Sequence, residues 1–316
     1  MRLCSILLLL ALAWPARADS LKLEAELPEA DGMVCWAEFS ADGKTLAAGS
    51  LTTICLWEAT TWKPRAVLHQ DANTFAFSQD GRVLAVATLN HSQVAIHQMS
   101  TGRVFTFRCE GQQVLALALA PDGKTLAVST DDGLQVFEVS AEKVIGKWSA
   151  RTWGYALTFF RDGEMLAAGQ ANGGISFWDV RTGKRRMMVK GHARLVESLS
   201  FSADGAKLAS GGNDGKVALW AVETGRRLLS IDVRDPILRA ALSPDGKTLA
   251  VVPSTEERAT LWDATSGHKL ATLKQDPPRL AIAFSPDGRL LAVGGRQGAP
   301  GFRQGIKVWK LPNGHR

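Results

Sequence analysis

Tyrosine is nearly missing from this chain. One residue in 316 is Tyr, against ten Trp and twelve Phe, a skew that points to tryptophan holding one recurring position. Cysteine is sparse as well, with four in all. There is no Cys-x-x-Cys-His haem-attachment run, calcium-type acidic loop, phosphate-cradling glycine loop or Gly-x-Ser-x-Gly elbow. Charge of one sign is also lacking: the formal net charge is +6 with 22% charged residues, a mild basic excess well short of a nucleic-acid-binding chain. Beyond the first eighteen residues no apolar run approaches the length that spans a bilayer. These absences argue against nucleic-acid binding, a membrane span and any chemistry that depends on those motifs.

What is present begins with MRLCSILLLLALAWPARA. A basic start at Arg2, an apolar run from Leu3 to Trp14 and small residues at Ala16 and Ala18 make a secretory leader, with cleavage expected between Ala18 and Asp19. The expected organisation is therefore a leader over 1–18 and a mature chain over 19–316. Losing Arg2 and Arg17 lowers the formal charge from +6 to +4. Cys4 lies too early in the apolar run to carry a lipid, so the mature chain reads as soluble and exported. Export exposes thiols to an oxidising compartment, and the mature chain keeps Cys35, Cys55 and Cys109. An odd count leaves at least one of them outside any intrachain disulfide. All three fall in apparent strands, where a buried Cys acts as a small hydrophobe. Asn90-His91-Ser92 fits a glycosylation sequon, which matters only in a eukaryotic secretory pathway.

The mature chain says nearly the same nine residues seven times: FSADGKTLA from Phe39, FSQDGRVLA from Phe77, LAPDGKTLA from Leu119, FFRDGEMLA from Phe159, FSADGAKLA from Phe201, LSPDGKTLA from Leu242 and FSPDGRLLA from Phe284. The Asp-Gly pairs start at Asp42, Asp80, Asp122, Asp162, Asp204, Asp245 and Asp287, at intervals of 38 to 42 residues. This is a fixed-period array. Each Asp-Gly lies between two apolar stretches, where Gly supplies the positive φ of a tight hairpin. A third strand follows and ends in an aromatic or its stand-in: Trp57, His97, Phe137, Trp178, Trp220, Trp262 and Trp309. A turn and a fourth stretch complete the unit. Four short antiparallel strands in about forty residues make one propeller blade.

With these residues in place, the chain resembles the WD-repeat (Trp-Asp repeat) β-propeller family over essentially all of its mature length. GHARLVESLSFSADGAKLASGGNDGKVALW, Gly191 to Trp220, carries the resemblance best, and the Trp-Asp pair itself stands at Trp178-Asp179 and Trp262-Asp263. The resemblance implies that His192, Ser210, Asp214 and Trp220 form a buried structural tetrad of hydrogen bonds. His97 and Phe137 depart from the Trp position, and no other unit has Gly-His in place. The fold expected is all-β, a seven-bladed propeller of four-stranded antiparallel blades. Its last blade, about 276–311, would be completed by the strand 20–28, where Leu21, Leu23, Ala25 and Leu27 alternate with polar residues.

An enzyme on this architecture needs titratable groups converging on the central channel. The first strands hold only Glu38, Glu197, Arg239 and Arg279 there, and no His. No catalytic residue, metal ligand or cofactor is therefore assigned. Function is expected where the repeat is broken, in the loops leading into the first strands and between the second and third. That upper face carries Met33, Leu115, Trp153, Tyr155, Leu195, Pro236, Leu238, Pro278 and Leu280. Asp-Gly to the third-strand aromatic takes 15 to 17 residues in six units and 22 in the seventh, because of GGRQGAPGFRQG with Arg296, Phe302 and Arg303. The partner-binding residues expected are Trp153, Tyr155, Leu115, Leu238, Arg239, Arg296, Phe302 and Arg303. The lower face collects Lys and Arg of the hairpins, with a weak contact to anionic surfaces as a secondary expectation.

The expected function is a non-catalytic protein–protein interaction or assembly scaffold that binds partner proteins through its loop face. The alternative is a ligand-binding or hydrolytic, lactonase-like propeller with a small molecule or glycan at the channel mouth. Tol-system propellers share the Ser-Pro-Asp-Gly hairpin, but the third-strand tryptophans favour the WD-repeat assignment. Because eukaryotic members of that family are mostly intracellular, the leader implies an exported bacterial member, periplasmic or secreted.

Overall fold

A computed structural model describes residues 21–28, 34–72, 74–78, 80–88, 92–148, 154–160, 162–255, 258–273, 279–295 and 305–312, with the side chains of Arg279 and Leu280 excepted. The leader, and the sequon residues Asn90 and His91, lie outside them.

Seven four-stranded antiparallel sheets follow one another around a ring. Blade 1 is Trp36–Phe39, Thr45–Gly49, Thr53–Glu58 and Pro64–His69. Blade 5, the most regular, is Val196–Phe201, Lys207–Gly212, Lys216–Ala221 and Arg227–Asp232. Burial explains why the strands differ in composition. The second and third strands are covered on both faces by neighbouring blades, so TLAAG of blade 1 is buried throughout. Strands buried on both faces read as continuous apolar runs. The fourth strand is an outer edge and alternates, as PRAVLH does between exposed and half-buried residues. The core is thus seven inter-blade layers, such as the one joining Leu46, Trp57 and Phe39 to Ala283 and Val308.

The repeated nonapeptide is a hydrogen-bonded joint. Ser40 Oγ donates to Asp42 Oδ1 at 2.7 Å and accepts the Thr45 N–H at 2.9 Å, while Asp42 Oδ1 also accepts the Lys44 N–H at 3.0 Å. Ser78, Ser202, Ser243 and Ser285 repeat the arrangement with Asp80, Asp204, Asp245 and Asp287. The intervening glycine, Gly43 in blade 1, has φ of 69°, a left-handed conformation that suits Gly. Ala120 and Phe160 replace the serine in blades 3 and 4, where the carboxylate-to-backbone bond alone remains.

The first described strand closes the ring. Lys22–Pro28 pairs antiparallel with Gly305–Lys310, Leu27 opposite Ile306 and Leu23 opposite Trp309. Blade 7 therefore consists of Lys22–Pro28, Gly305–Lys310, Leu290–Gly295 and Arg279–Phe284, in that order. The expected alternation of Leu21 to Leu27 needs one correction. A register shift between Leu23 and Ala25 breaks it, so Leu27 is buried while Leu23 is 38% exposed. The cysteines need another: Cys55 lies inside Thr53–Glu58, but Cys35 and Cys109 sit one residue outside strand ends. Their main-chain N–H groups still bond across, to Gly49 O and Ser92 O. All three are buried. Desolvation pushes the Cys35 thiol up to about 11, against the opposing field of Arg239, and the Cys109 thiol up to about 12.

Candidate binding site at the channel mouth

The seven first strands enclose a channel of about 920 Å³. It runs from Gln113, Leu115 and Tyr155 at the upper end to Pro121, Pro244 and Pro286 beside the lower hairpins. Bulges shape its mouth. The register shifts between Val114 and Ala116, between Val196 and Ser198, and between Ile237 and Arg239, leaving Leu115, Glu197 and Leu238 as the inserted residues. An inserted residue bends the strand and re-aims its side chain.

Of the residues expected to bind a partner, Leu115, Tyr155 and Arg239 come together on this channel. Tyr155 is 39% exposed and Leu115 half-buried. Leu238 is half-buried but does not line the channel; the bulge gives that place to Arg239, whose Nη1 donates to the Leu238 carbonyl at 2.9 Å. Leu195 and Pro236 are half-buried in the same set of loops. Trp153, Arg296, Phe302 and Arg303, with Met33 and Pro278, lie outside the described residues, as does the Leu280 side chain.

Three of the four charged residues expected on the channel, Glu38, Glu197 and Arg239, line it. Burial pushes the Glu38 carboxyl up to about 8, opposed by the hydrogen bond it accepts from the Phe77 N–H at 3.2 Å. Burial also raises Glu197, and the Arg239 guanidinium pulls it back. Arg239 itself is lowered by desolvation, against the fields of Glu197 and the Cys35 thiol. Among the described residues no group of three or more His, Cys, Asp and Glu is placed to hold a metal ion.

Three polar side chains have roles that sequence reasoning missed. An inner strand turns one row of N–H groups toward its neighbour, and these need acceptors. Glu38 serves Phe77 across the joint between blades 1 and 2. Ser198 and Ser200 accept the N–H groups of Ala240 at 2.8 Å and Leu242 at 3.1 Å across the joint between blades 5 and 6. The signal was available as Ser198 and Ser200, two residues apart on an inner strand and hence on one face.

The blade 5 tetrad is fully joined. Indole N–H can only donate, so Ser210 Oγ accepts from Trp220 Nε1 at 2.9 Å and donates to His192 Nε2 at 2.8 Å. That fixes the proton on His192 Nδ1, which donates to Asp214 Oδ1 at 2.9 Å. Asp214 Oδ2 takes the Ala193 N–H at 2.9 Å. Partial burial works to raise the Asp214 carboxyl, yet the bonds from Ala193 and His192 and the imidazole's field hold it below its ordinary value. Other blades use shorter substitutes. Trp178 donates to Ser176, Trp262 to Thr260, and His97 Nε2 meets Gln70 Oε1 at 2.8 Å. On the lower face Lys44, Arg82 and Arg289 each pair with the Asp of their own hairpin.

Comparison with known proteins bears on the same blades. The family model described as "WD domain, G-beta repeat" matches residues 22–58 and 183–221, and that described as "Anaphase-promoting complex subunit 4 WD40 domain" matches residues 75–154. A curated relative, WD repeat-containing protein SL1-17 of Schistosoma mansoni, is 27% identical over 183 residues, covering 54% of this chain. The chain spans about 60% of that relative's length. The solved β-propeller domain of Cps50 (Swd1) from Myceliophteria thermophila superposes with a TM-score of 0.80 over 92% of this chain and 100% of that one, at 16% identity, a likeness of fold.

Proposed function

This chain is a WD-repeat β-propeller, and from that premise we propose that it is a non-catalytic protein-binding platform working in an exported compartment. The observation that carries the proposal is the exposed Tyr155 on the channel that Leu115 and Arg239 also line. Aromatic and Arg side chains are among the residues that dominate protein interfaces. Members of this family generally serve as non-catalytic interaction scaffolds. The mechanism is rigid presentation: closed sheets hold the loop residues in place, so a partner docks with little ordering entropy to lose.

Export rests on the leader at residues 1–18. N-terminal sequencing of the protein purified from its native host should begin at Asp19; retention of Met1 would remove the exported setting. For binding, affinity co-purification compares the intact mature chain with a Tyr155→Ala, Leu115→Ser variant shown to fold. A protein recovered by the intact chain and lost with the variant supports the upper face; equal recovery by both moves the site elsewhere.

A second reading is favoured by the channel itself. Its volume of about 920 Å³, with Arg239, Glu197 and Glu38 on its wall, suits a small polar ligand. Arg239→Ala would then abolish small-molecule binding by the purified chain alone, with no partner protein present.

A further inference from the structure

The charged side chains of the channel are gathered on one arc. Among the described side chains, Glu38 of blade 1, Glu197 of blade 5 and Arg239 of blade 6 line it, while blades 2, 3 and 4 contribute none with a charge. Part of this arc lies at the upper end. Leu115, Tyr155 and Glu197 each stand four residues before the one that opens their nonapeptide, at Leu119, Phe159 and Phe201, and Arg239 stands three before Leu242. Blades 3 to 6 therefore present an apolar residue, an aromatic, a carboxylate and a guanidinium at nearly one depth. Glu38, one residue before Phe39, lies further down.

Arg239 and Glu197 attract one another but do not pair. Each acts on the other through its field, with no hydrogen bond between them. The guanidinium donates once, from Nη1 to the Leu238 carbonyl at 2.9 Å. Among the described residues nothing accepts from its Nε or Nη2, and neither atom is sealed from solvent, so both open on the channel. Its field also reaches Cys35 beside blade 1, with blade 7 in between, as that of a side chain directed into the lumen would. The Glu197 carboxylate likewise takes no hydrogen bond among the described residues and is not sealed off. Desolvation works against the charged form of both groups, and a ligand that pairs with each offsets that penalty.

These groups define the ligand. It needs two acceptor oxygens for the free edge of the guanidinium, a cationic donor for Glu197 and an apolar body for Leu115 and Tyr155. A dianion would set a like charge against Glu197, and a simple amine would leave Arg239 unmet. The zwitterion of an α-amino acid carries carboxylate and ammonium on one carbon, with its side chain as a third arm. A few placed polar groups in a largely apolar wall are what small-molecule sites use for orientation.

We propose that the upper channel binds a free α-amino acid with an apolar side chain, its carboxylate on Arg239 Nε and Nη2, its ammonium on Glu197 and its side chain toward Leu115 and Tyr155. The proposal rests on the reading of the channel as a small-molecule site and names the ligand class.

The test is calorimetry on the purified mature chain with no partner protein present. The probes are D- and L-phenylalanine, N-acetylphenylalanine and phenethylamine, with succinate and putrescine from other classes. At least one phenylalanine enantiomer should give a saturable heat, and affinity should fall about tenfold or more when the ammonium is acetylated or the carboxylate removed. Glu197→Gln, isosteric and open to the channel, should weaken phenylalanine about tenfold and N-acetylphenylalanine little. Arg239→Lys should weaken phenylalanine but spare phenethylamine. Variants that weaken every probe alike show a structural role and overturn the proposal. Saturable binding of succinate or putrescine, with no response to phenylalanine at millimolar concentration, overturns it while keeping the channel as a small-molecule site. No response to any probe overturns both.

Discussion

Glu38 of blade 1 crosses to blade 2: its Oε2 accepts the main-chain N–H of Phe77 at 3.2 Å, inside the channel. Burial raises this carboxyl to about 8, above its unfolded value near 4.5. The folded state therefore holds the proton more tightly than the unfolded one. Stability from this group is complete below about pH 4.5 and is lost as pH rises toward 8. Carried through to pH above 8, the loss is on the order of 5 kcal/mol. Urea unfolding at pH 5, 6.5 and 8 should show a steeper decline in the native protein than in Glu38→Gln. Parallel slopes would mean that the carboxyl is solvated and ordinary.

Ser210 is the hinge of the blade 5 tetrad. Ser210→Ala would leave the buried Trp220 N–H and His192 Nε2 both without a partner. The expected cost is about 2–4 kcal/mol of unfolding free energy, read by chemical denaturation. Trp220→Phe removes one donor and leaves Ser210 able to reach His192, so it should cost less. Equal losses would place the energy in packing.

Ring closure rests on Leu27, buried against the strand that holds Ile306 and Val308. Leu27→Ala should destabilise the whole ring by about 2–4 kcal/mol in a single transition. Exposed Leu23→Ala, four residues earlier on the same strand, should change little. A separate early transition in Leu27→Ala would mean that blade 7 melts on its own.

Cys109 is buried, with its thiol raised to about 12. A thiol reagent at pH 8 should leave it untouched in the native protein and modify it in denaturant, as peptide mapping would show. Native labelling of Cys109 would contradict its burial.

Much of this was legible in the sequence because the repeat forces it. Asp-Gly at a fixed period needs a hairpin, and aromatics at Trp57, Trp178 and Trp220 need a common slot between blades. The pairing of Lys22–Pro28 with the last unit followed from the open edge it had to fill. What could not be read depends on geometry without a side-chain signature. The bulges at Leu115 and Leu238 shift register by one residue with no residue type that announces them, and Leu238 does not line the channel. The reach of Glu38 to Phe77 joins residues tens of positions apart. Only the stacking of blades brings them together.

The central claim, that proteins dock at the channel mouth, is tested most directly by photocrosslinking in the native host. A benzophenone amino acid replaces Tyr155 in one variant and Leu228, on the outer edge of blade 5, in another. The platform reading predicts discrete protein adducts from position 155 and none of the same mass from 228. Identical adducts from both positions, or none from 155 while the protein is folded and exported, would contradict it.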